Sequence, residues 1–188
     1  MVYHFKIQLR NITKPPVWRR VSVPAQYTFE QFHLVIQLSF GWENYHLFTF
    51  GNQPYGGSIR ISMPDEDDMY GKNQDATKIK LSDIFKEEGD SFFYVYDFGD
   101  SWEHTILLGK TTPDYTLHAV CTEGKGACPP EDVGGIWGYQ NLKDVLLNRP
   151  DSEEAEEYRE WLGMEKGETW EEVYPFDKEE ANFFLKQI

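Results

Sequence analysis

Cysteine and positive charge are the two things this sequence is short of. Its two cysteines, Cys121 and Cys128, cannot build a disulfide framework. That fits a reducing compartment and sets the expectation of a cytoplasmic protein. Only 18 Lys and Arg stand against 32 Asp and Glu, for a net charge of −14. Duplex nucleic acid is thereby excluded as an expected partner, because phosphate binding needs a basic footprint. No apolar run approaches the roughly 18 residues that suggest a membrane span, and the N-terminus MVYHFKIQLR has no apolar signal core. No membrane association is expected. Catalytic signatures are missing as well: there is no HExxH, no GxxxxGK[ST], no GxGxxG after a strand and no GxSxG elbow. These absences exclude those families, not catalysis itself.

Rings are abundant. Of 188 residues, 13 are Phe, 11 Tyr and 6 Trp, more aromatic surface than a chain carries without packing it. Charge is polarised along the chain. Residues 1–60 hold 6 basic and 2 acidic residues, whereas residues 151–180 hold 3 and 13. The acidic part reads either as solvated helix faces or as a surface that docks a basic protein partner.

Periodicity supplies the fold. Tyr3, Phe5, Ile7 and Leu9 alternate with polar residues as in a half-buried strand, and a second strand runs from Val17 to Val23. Thr28 with Gln31 forms a capping box for a helix whose apolar face is Phe29, Phe32, Val35, Ile36 and Phe40, with Gly41 as its stop. Residues 45–50 and the stretch around Ile59 and Ile61 predict two further strands. The expectation is an α+β fold in one domain spanning 1–188. Residues 1–61 read as a β-grasp-like ββαββ half and residues 77–121 as an antiparallel hairpin and meander. Residues 122–138, with five glycines and two prolines, read as an ordered loop, and 138–188 as C-terminal helices packed on the rest. Within these, strands are expected at Phe92–Phe98, Trp102–Leu108 and Tyr115–Cys121, and helices at 82–88, 138–148, 152–162 and 177–187. The acidic stretch within 62–76 reads as an exposed loop.

Two clusters could carry chemistry. Around the Gly99-Asp100 turn stand Asp97, Asp100, Trp102, Glu103 and His104. A two-residue turn would put Asp97 opposite Trp102 and diagonal to His104, about 7–8 Å apart at the backbone and within side-chain reach of a shared metal or proton. A three-residue loop would send Asp97 and His104 to opposite faces. The alternation of Tyr94, Tyr96 and Phe98 against Trp102, Ile106 and Leu108 favours the second register. The other cluster, His118, Cys121 and Cys128, has zinc-ligand chemistry without a standard spacing. Asp97, His104, Cys121 and Cys128 are therefore the candidate metal ligands, and two half-buried reduced thiols are the alternative for the last pair.

PPVWRRVSVP at 15–24, HLVIQLSFGW at 33–42, HLFTF at 46–50, YDFGDSWEH at 96–104, CPPEDVGG at 128–135 and EWLG at 160–163 together resemble the plasmid pRiA4b ORF-three-like family, in its order and over nearly the whole chain. The resemblance implies little about activity, since that family is essentially of unknown function. Its motifs carry over as His33, His46, Asp97, Asp100, Trp102, His104, Pro129, Pro130, Glu131, Asp132, Gly134 and Gly135.

Two functions follow as expectations. The first is a non-catalytic binding or protein-interaction module with no cofactor. Its groove would be ring-lined, beside the 96–104 hairpin and under the 122–138 loop, with His46, Glu131 and Asp132 joining the hairpin residues as ligand contacts. The second is a metal-assisted hydrolase, or another small-molecule enzyme, using a divalent ion on Asp97, Asp100 and His104.

Overall fold

The computed structural model describes residues 1–64 and 73–188. The period-two pattern of the first residues becomes β1 (Val2–Thr13), which pairs with β2 (Pro16–Pro24) in an antiparallel hairpin with Phe5 opposite Val21. The odd residues Tyr3, Phe5, Ile7 and Leu9 are buried. Helix α1 (Phe29–Phe40) begins at the capping box expected from sequence: Thr28 Oγ1 accepts from Gln31 N at 3.2 Å, and Thr28 N donates to Gln31 Oε1 at 2.9 Å. It ends at left-handed Gly41. Its apolar face lies on the sheet through ring contacts such as Phe5–Phe32 and Phe29–Phe50, each 4.9 Å between centroids.

Further strands are β3 (Phe48–Gly51), β4 (Arg60–Ser62), β5 (Gln74–Asp75), β6 (Ser91–Tyr96), β7 (Trp102–Thr112) and β8 (Val120–Lys125). The short helix α2 (Leu81–Ile84) precedes β6, and α3 (Gly135–Asn148), α4 (Glu153–Leu162), α5 (Trp170–Val173) and α6 (Lys178–Leu185) follow β8. The strands form one eight-stranded sheet in the order β5-β4-β3-β6-β7-β1-β2-β8. All pairs are antiparallel except β4–β5. The α+β class with C-terminal helices is as expected. Residues 1–61 are not a self-contained half, however. The β6–β7 hairpin sits between β1 and β3, so within the sheet the two hairpins flanking α1 are joined through a later part of the chain.

Several boundaries differ from the sequence reading, each for a local reason. Residues 45–47 are not strand, because Asn44 turns left-handed (φ 61°) and β3 starts at Phe48. The last strand is Val120–Lys125 rather than 115–121, so the expected loop at 122–138 opens as strand; Tyr115 and Leu117 are exposed. Helix α4 is capped by Ser152, whose Oγ accepts from Ala155 N at 3.2 Å, while Asp151 pairs with Lys166. Asp177 caps α6, accepting from Glu179 N at 2.7 Å and Glu180 N at 3.1 Å. Helix α3 starts three residues before the expected 138, and α5 was not expected at all. The acidic run 65–68 lies outside the described residues. No helix among the described residues is long and apolar enough to cross a membrane.

One buried charge ties the sheet to the helices. On β2, Trp18 and Arg20 face outward, where Arg20 pairs with Glu123 at 2.8 Å, and Arg19 points inward and is only 1% exposed. Its Nε donates to Ser39 O at 2.7 Å, and its Nη1 to the carbonyls of Trp18 (2.9 Å), Lys125 (3.0 Å) and Gly126 (3.1 Å). The guanidinium lies 4.0 Å from the Phe176 ring centroid and 4.8 Å from that of Phe40. No carboxylate among the described residues pairs with it. Gly124, opposite Arg19 in the β2–β8 pairing, leaves the space: a Cβ there would stand 2.5 Å from Phe176 Cε1 and 2.8 Å from Arg19 Cδ. Burial lowers the Arg19 pKa to about 10, so it stays charged at neutral pH. Lysine cannot reproduce this planar fork of donors. Arg19→Lys should therefore cost about 2–4 kcal/mol in urea unfolding. Arg20→Lys on the exposed face should cost less than about 1 kcal/mol. Equal losses in the two variants would remove Arg19 from its role as the tie.

Candidate functional site

The β6–β7 register decides which hairpin residues meet. Tyr96 pairs with Trp102 and Tyr94 with His104, leaving residues 97–101 as a five-residue loop. This is longer than either turn expected from sequence, but it has the parity of the three-residue case. Tyr94, Tyr96, Trp102 and His104 all turn to the core, and Asp97 leaves the strand in a left-handed conformation (φ 55°). Asp97 and His104 therefore do not converge, and the expected Asp97/Asp100/His104 metal set is not formed. His104 is fully buried, edge-on to Phe40 (5.0 Å) and Trp42 (5.3 Å). Its Nδ1 donates to Trp102 O at 3.0 Å. Its Nε2 and the buried Trp102 Nε1 have no hydrogen-bond partner among the described residues. Glu103 is spent on Arg10 across the open face of the sheet. Asp100 Oδ2 accepts from Gly134 N at 3.1 Å, a structural role.

Asp97 meets His46 instead. Because Phe48 pairs with Tyr96, the residues just outside that pair are neighbours, and Asp97 N donates to Leu47 O at 2.9 Å. His46 Nε2 stands 3.7 Å from Asp97 Oδ2 and 3.0 Å from Asp132 Oδ1. The 128–135 loop that brings Asp132 is clamped by two indoles: Trp42 Nε1 donates to Pro129 O at 3.1 Å, and Trp170 Nε1 to Cys128 O at 2.7 Å. Glu131 joins from the same loop. It accepts from the Tyr96 hydroxyl and from Glu43 N at 3.3 Å. Tyr96 in turn accepts from Tyr45 N at 3.0 Å and His46 N at 3.3 Å. Burial first, then the Glu131 carboxylate, raises the Tyr96 pKa and keeps it a donor.

Behind His46 lies a closed ring of hydrogen bonds. His33 Nε2 faces Asn44 Oδ1 at 2.7 Å; the amide oxygen only accepts, so Nε2 carries the proton and Nδ1 accepts from Tyr94 OH at 2.8 Å. Tyr94 OH accepts from Gln37 Nε2 at 2.9 Å, and Gln37 Oε1 from Asn44 N at 3.1 Å. The ring holds Asn44 left-handed and so aims the next residues. Four of the five left-handed non-glycine residues among those described, Asn44, Asp97, Ser101 and Asp132, surround this site; Asn11 is the other. Such conformations persist where the surrounding structure enforces them.

The cysteine cluster does not form a metal site. Cys121 is buried, with its thiol against Glu123 O at 3.7 Å, and His118 is exposed with Nδ1 near Ile188 O. Burial raises the pKa of both thiols, which keeps them protonated. A cleft of about 1030 Å³ opens beside the His46 site, between α1, the 128–132 segment and the C-terminal helices. Residues 128–132 line it as expected, but the 96–104 hairpin does not. Sequence reasoning named His33 through the family motifs but missed Tyr96, Gln37 and Asn44 as builders of the site. It also missed the C-terminal rings of the cleft, which carry no short-range signal.

Two consequences can be measured. Burial pushes His33 down to about 4 and His104 to about 3, from an ordinary 6.5. Between pH 6.5 and about 4 the unfolded chain takes protons at these rings that the folded chain refuses, so stability falls as pH falls through that window. By pH 5 each ring withdraws on the order of 2 kcal/mol. His104→Leu should lose markedly less stability between pH 7 and pH 5 than the wild type; equal losses would clear His104. Gly135, at φ 66°, docks against the hairpin loop, and a Cβ there would stand 2.5 Å from Asp100 O. Gly135→Ala should cost at least about 2 kcal/mol in thermal or urea unfolding; a neutral result would show that the two loops move apart freely.

Comparisons with known proteins agree over nearly the whole chain. A crystal structure of a protein of unknown function, MM3350 from Methanosarcina mazei Go1, superposes with a TM-score of 0.75 at 34% identity, covering 95% of this chain and 96% of that one. The uncharacterized protein y4hQ of Sinorhizobium fredii (strain NBRC 101917 / NGR234) is 39% identical over 165 residues, 86% of this chain and 81% of its own length. The family model described as plasmid pRiA4b ORF-3-like protein matches residues 1–183, and the chain belongs to that family.

Proposed function

We propose that this protein is a binding module whose cleft takes a Lys- and Arg-bearing segment of a basic partner protein. The observation that carries the reading is the composition of the cleft wall. Rings such as Trp161, Trp170, Tyr174 and Phe184 supply apolar faces, and Glu43, Glu131, Asp132, Asp177 and Glu180 supply negative charge. Arg19 is the one basic lining residue among those described, and its guanidinium is committed to backbone carbonyls. Carboxylates beside exposed aromatic faces are the chemistry that holds ammonium and guanidinium groups. At about 1030 Å³ the cleft reaches the upper end of the small-molecule range, which suits a peptide segment better than a small metabolite. The net charge of −14 would steer a basic partner toward it.

The hydrolase reading finds no support in the hairpin set from which it arose, since His104 is sealed in the core on the other side of Tyr96. Titration of a tryptophan-free Lys/Arg-rich peptide, followed by the protein's own tryptophan fluorescence, tests the binding reading. Binding should weaken as salt rises. It should fall about 2–10-fold in the Glu43→Gln/Glu180→Gln double variant, the scale of two exposed ion pairs. An acidic peptide of the same length should not bind. Equal binding of both peptides, or an unchanged double variant, would overturn the proposal.

A further inference from the structure

We propose that His46, Asp97 and Asp132 form a binding site for a divalent transition-metal ion. Each offers one ligand atom, and the three atoms lie within 4.8 Å of one another. Ligands bound about 2.0–2.2 Å from a single ion stand about 3.0–3.6 Å apart in octahedral or tetrahedral geometry. The 3.0 Å separation from His46 Nε2 to Asp132 Oδ1 falls in that range, and the 3.7 Å separation to Asp97 Oδ2 lies just above it.

The alternative, an ordinary hydrogen bond from the imidazole to a carboxylate, is not made. His46 Nε2 is shut off from solvent and has no hydrogen-bond partner among the described residues, although Asp132 Oδ1 is 3.0 Å away. The nitrogen and oxygen are close without being aligned, as two donors to a third atom would be. The carboxylates are also short of positive charge: among the described residues no Lys or Arg pairs with Asp97, Asp132 or the adjacent Glu131.

The framework holds the donors in place. Asp97 Oδ1 is anchored by Gly99 N at 2.8 Å, which leaves Oδ2 turned toward His46. His46 N is tied to the Tyr96 hydroxyl, and Asp97 and Asp132 both have left-handed backbone. Asp97 is 7% exposed, whereas Asp132 stands at the cleft. The set is thus closed on one side and open on the other. One imidazole and two carboxylates suit zinc, manganese or ferrous iron rather than calcium or copper(I). Three protein ligands leave further positions for water or an oxygen-donor ligand.

Chelator-treated full-length protein is titrated with Mn²⁺, followed by electron paramagnetic resonance, and with Zn²⁺, followed by calorimetry and the ¹⁵N shifts of the histidine rings. One ion per chain is expected, with a Zn²⁺-induced shift at His46 Nε2. Asp97→Asn and Asp132→Asn each introduce a side chain that tolerates the left-handed backbone, and in the first variant the new amide retains an oxygen for Gly99 N. Both should bind about tenfold or more weakly while circular dichroism stays native. Glu103→Gln on the far face of the sheet and the Cys121→Ser/Cys128→Ser double variant should bind as the wild type does. Natively folded protein that takes up neither ion would overturn the proposal. So would uptake that Asp97→Asn and Asp132→Asn leave unchanged. Neither result touches the peptide reading of the cleft, which needs no metal.

Discussion

A guanidinium buried without a carboxylate is the constraint on which the rest of this structure leans. Desolvating a charge is costly unless its donors are met, and Arg19 is met by four carbonyls drawn from three places in the chain. Ser39 O belongs to the last turn of α1, where carbonyls lack helical partners. Lys125 O and Gly126 O belong to the end of β8 and the start of the loop that leads to Glu131 and Asp132. Phe176, stacked on the same group, fixes the approach to α6. One side chain thus sets the distance between the sheet, the central helix and the segment that completes the candidate site.

A second polar arrangement does the same on the other side of α1. The ring through His33, Tyr94, Gln37 and Asn44 satisfies each member with a donor or acceptor from another, so none is left exposed to the low-dielectric core. It links α1 to β6 and to the turn before β3. Tyr96, two residues along β6 from Tyr94, carries the link outward to Tyr45, His46 and Glu131. The aromatic residues of β6 are therefore more than packing material: their hydroxyls convert a strand register into the position of a histidine and two loop carboxylates.

The YDFGDSWEH and CPPEDVGG stretches become intelligible together. Asp97 and Ser101 turn left-handed to make a five-residue loop, Asp100 receives Gly134 N, and Gly135 lets the two loops touch. Much of each motif keeps the loops in contact. What remains for chemistry is the outer pair Asp97 and Asp132, with His46 between them. The charged wall of the cleft begins at the same Asp132.

Local pattern alone determined the elements of the first half: the alternation in β1 and β2, the capping box and apolar face of α1, and the glycine that ends it. These depend on neighbours three or four positions away at most, so the sequence carries them directly. It also singled out His46, Asp97 and Asp132, but as members of a larger set in which His104 had the leading place. Tertiary structure decided the grouping. A hairpin whose loop is three residues longer than the tightest turn changes the parity of every facing pair, which sent His104 into the core and freed Asp97 from the strand. The pairing of Phe48 with Tyr96, across 48 positions, then brought Asp97 to His46. Such long-range pairings are fixed when segments distant in sequence bury one shared face of the sheet, and no short window of sequence contains that information.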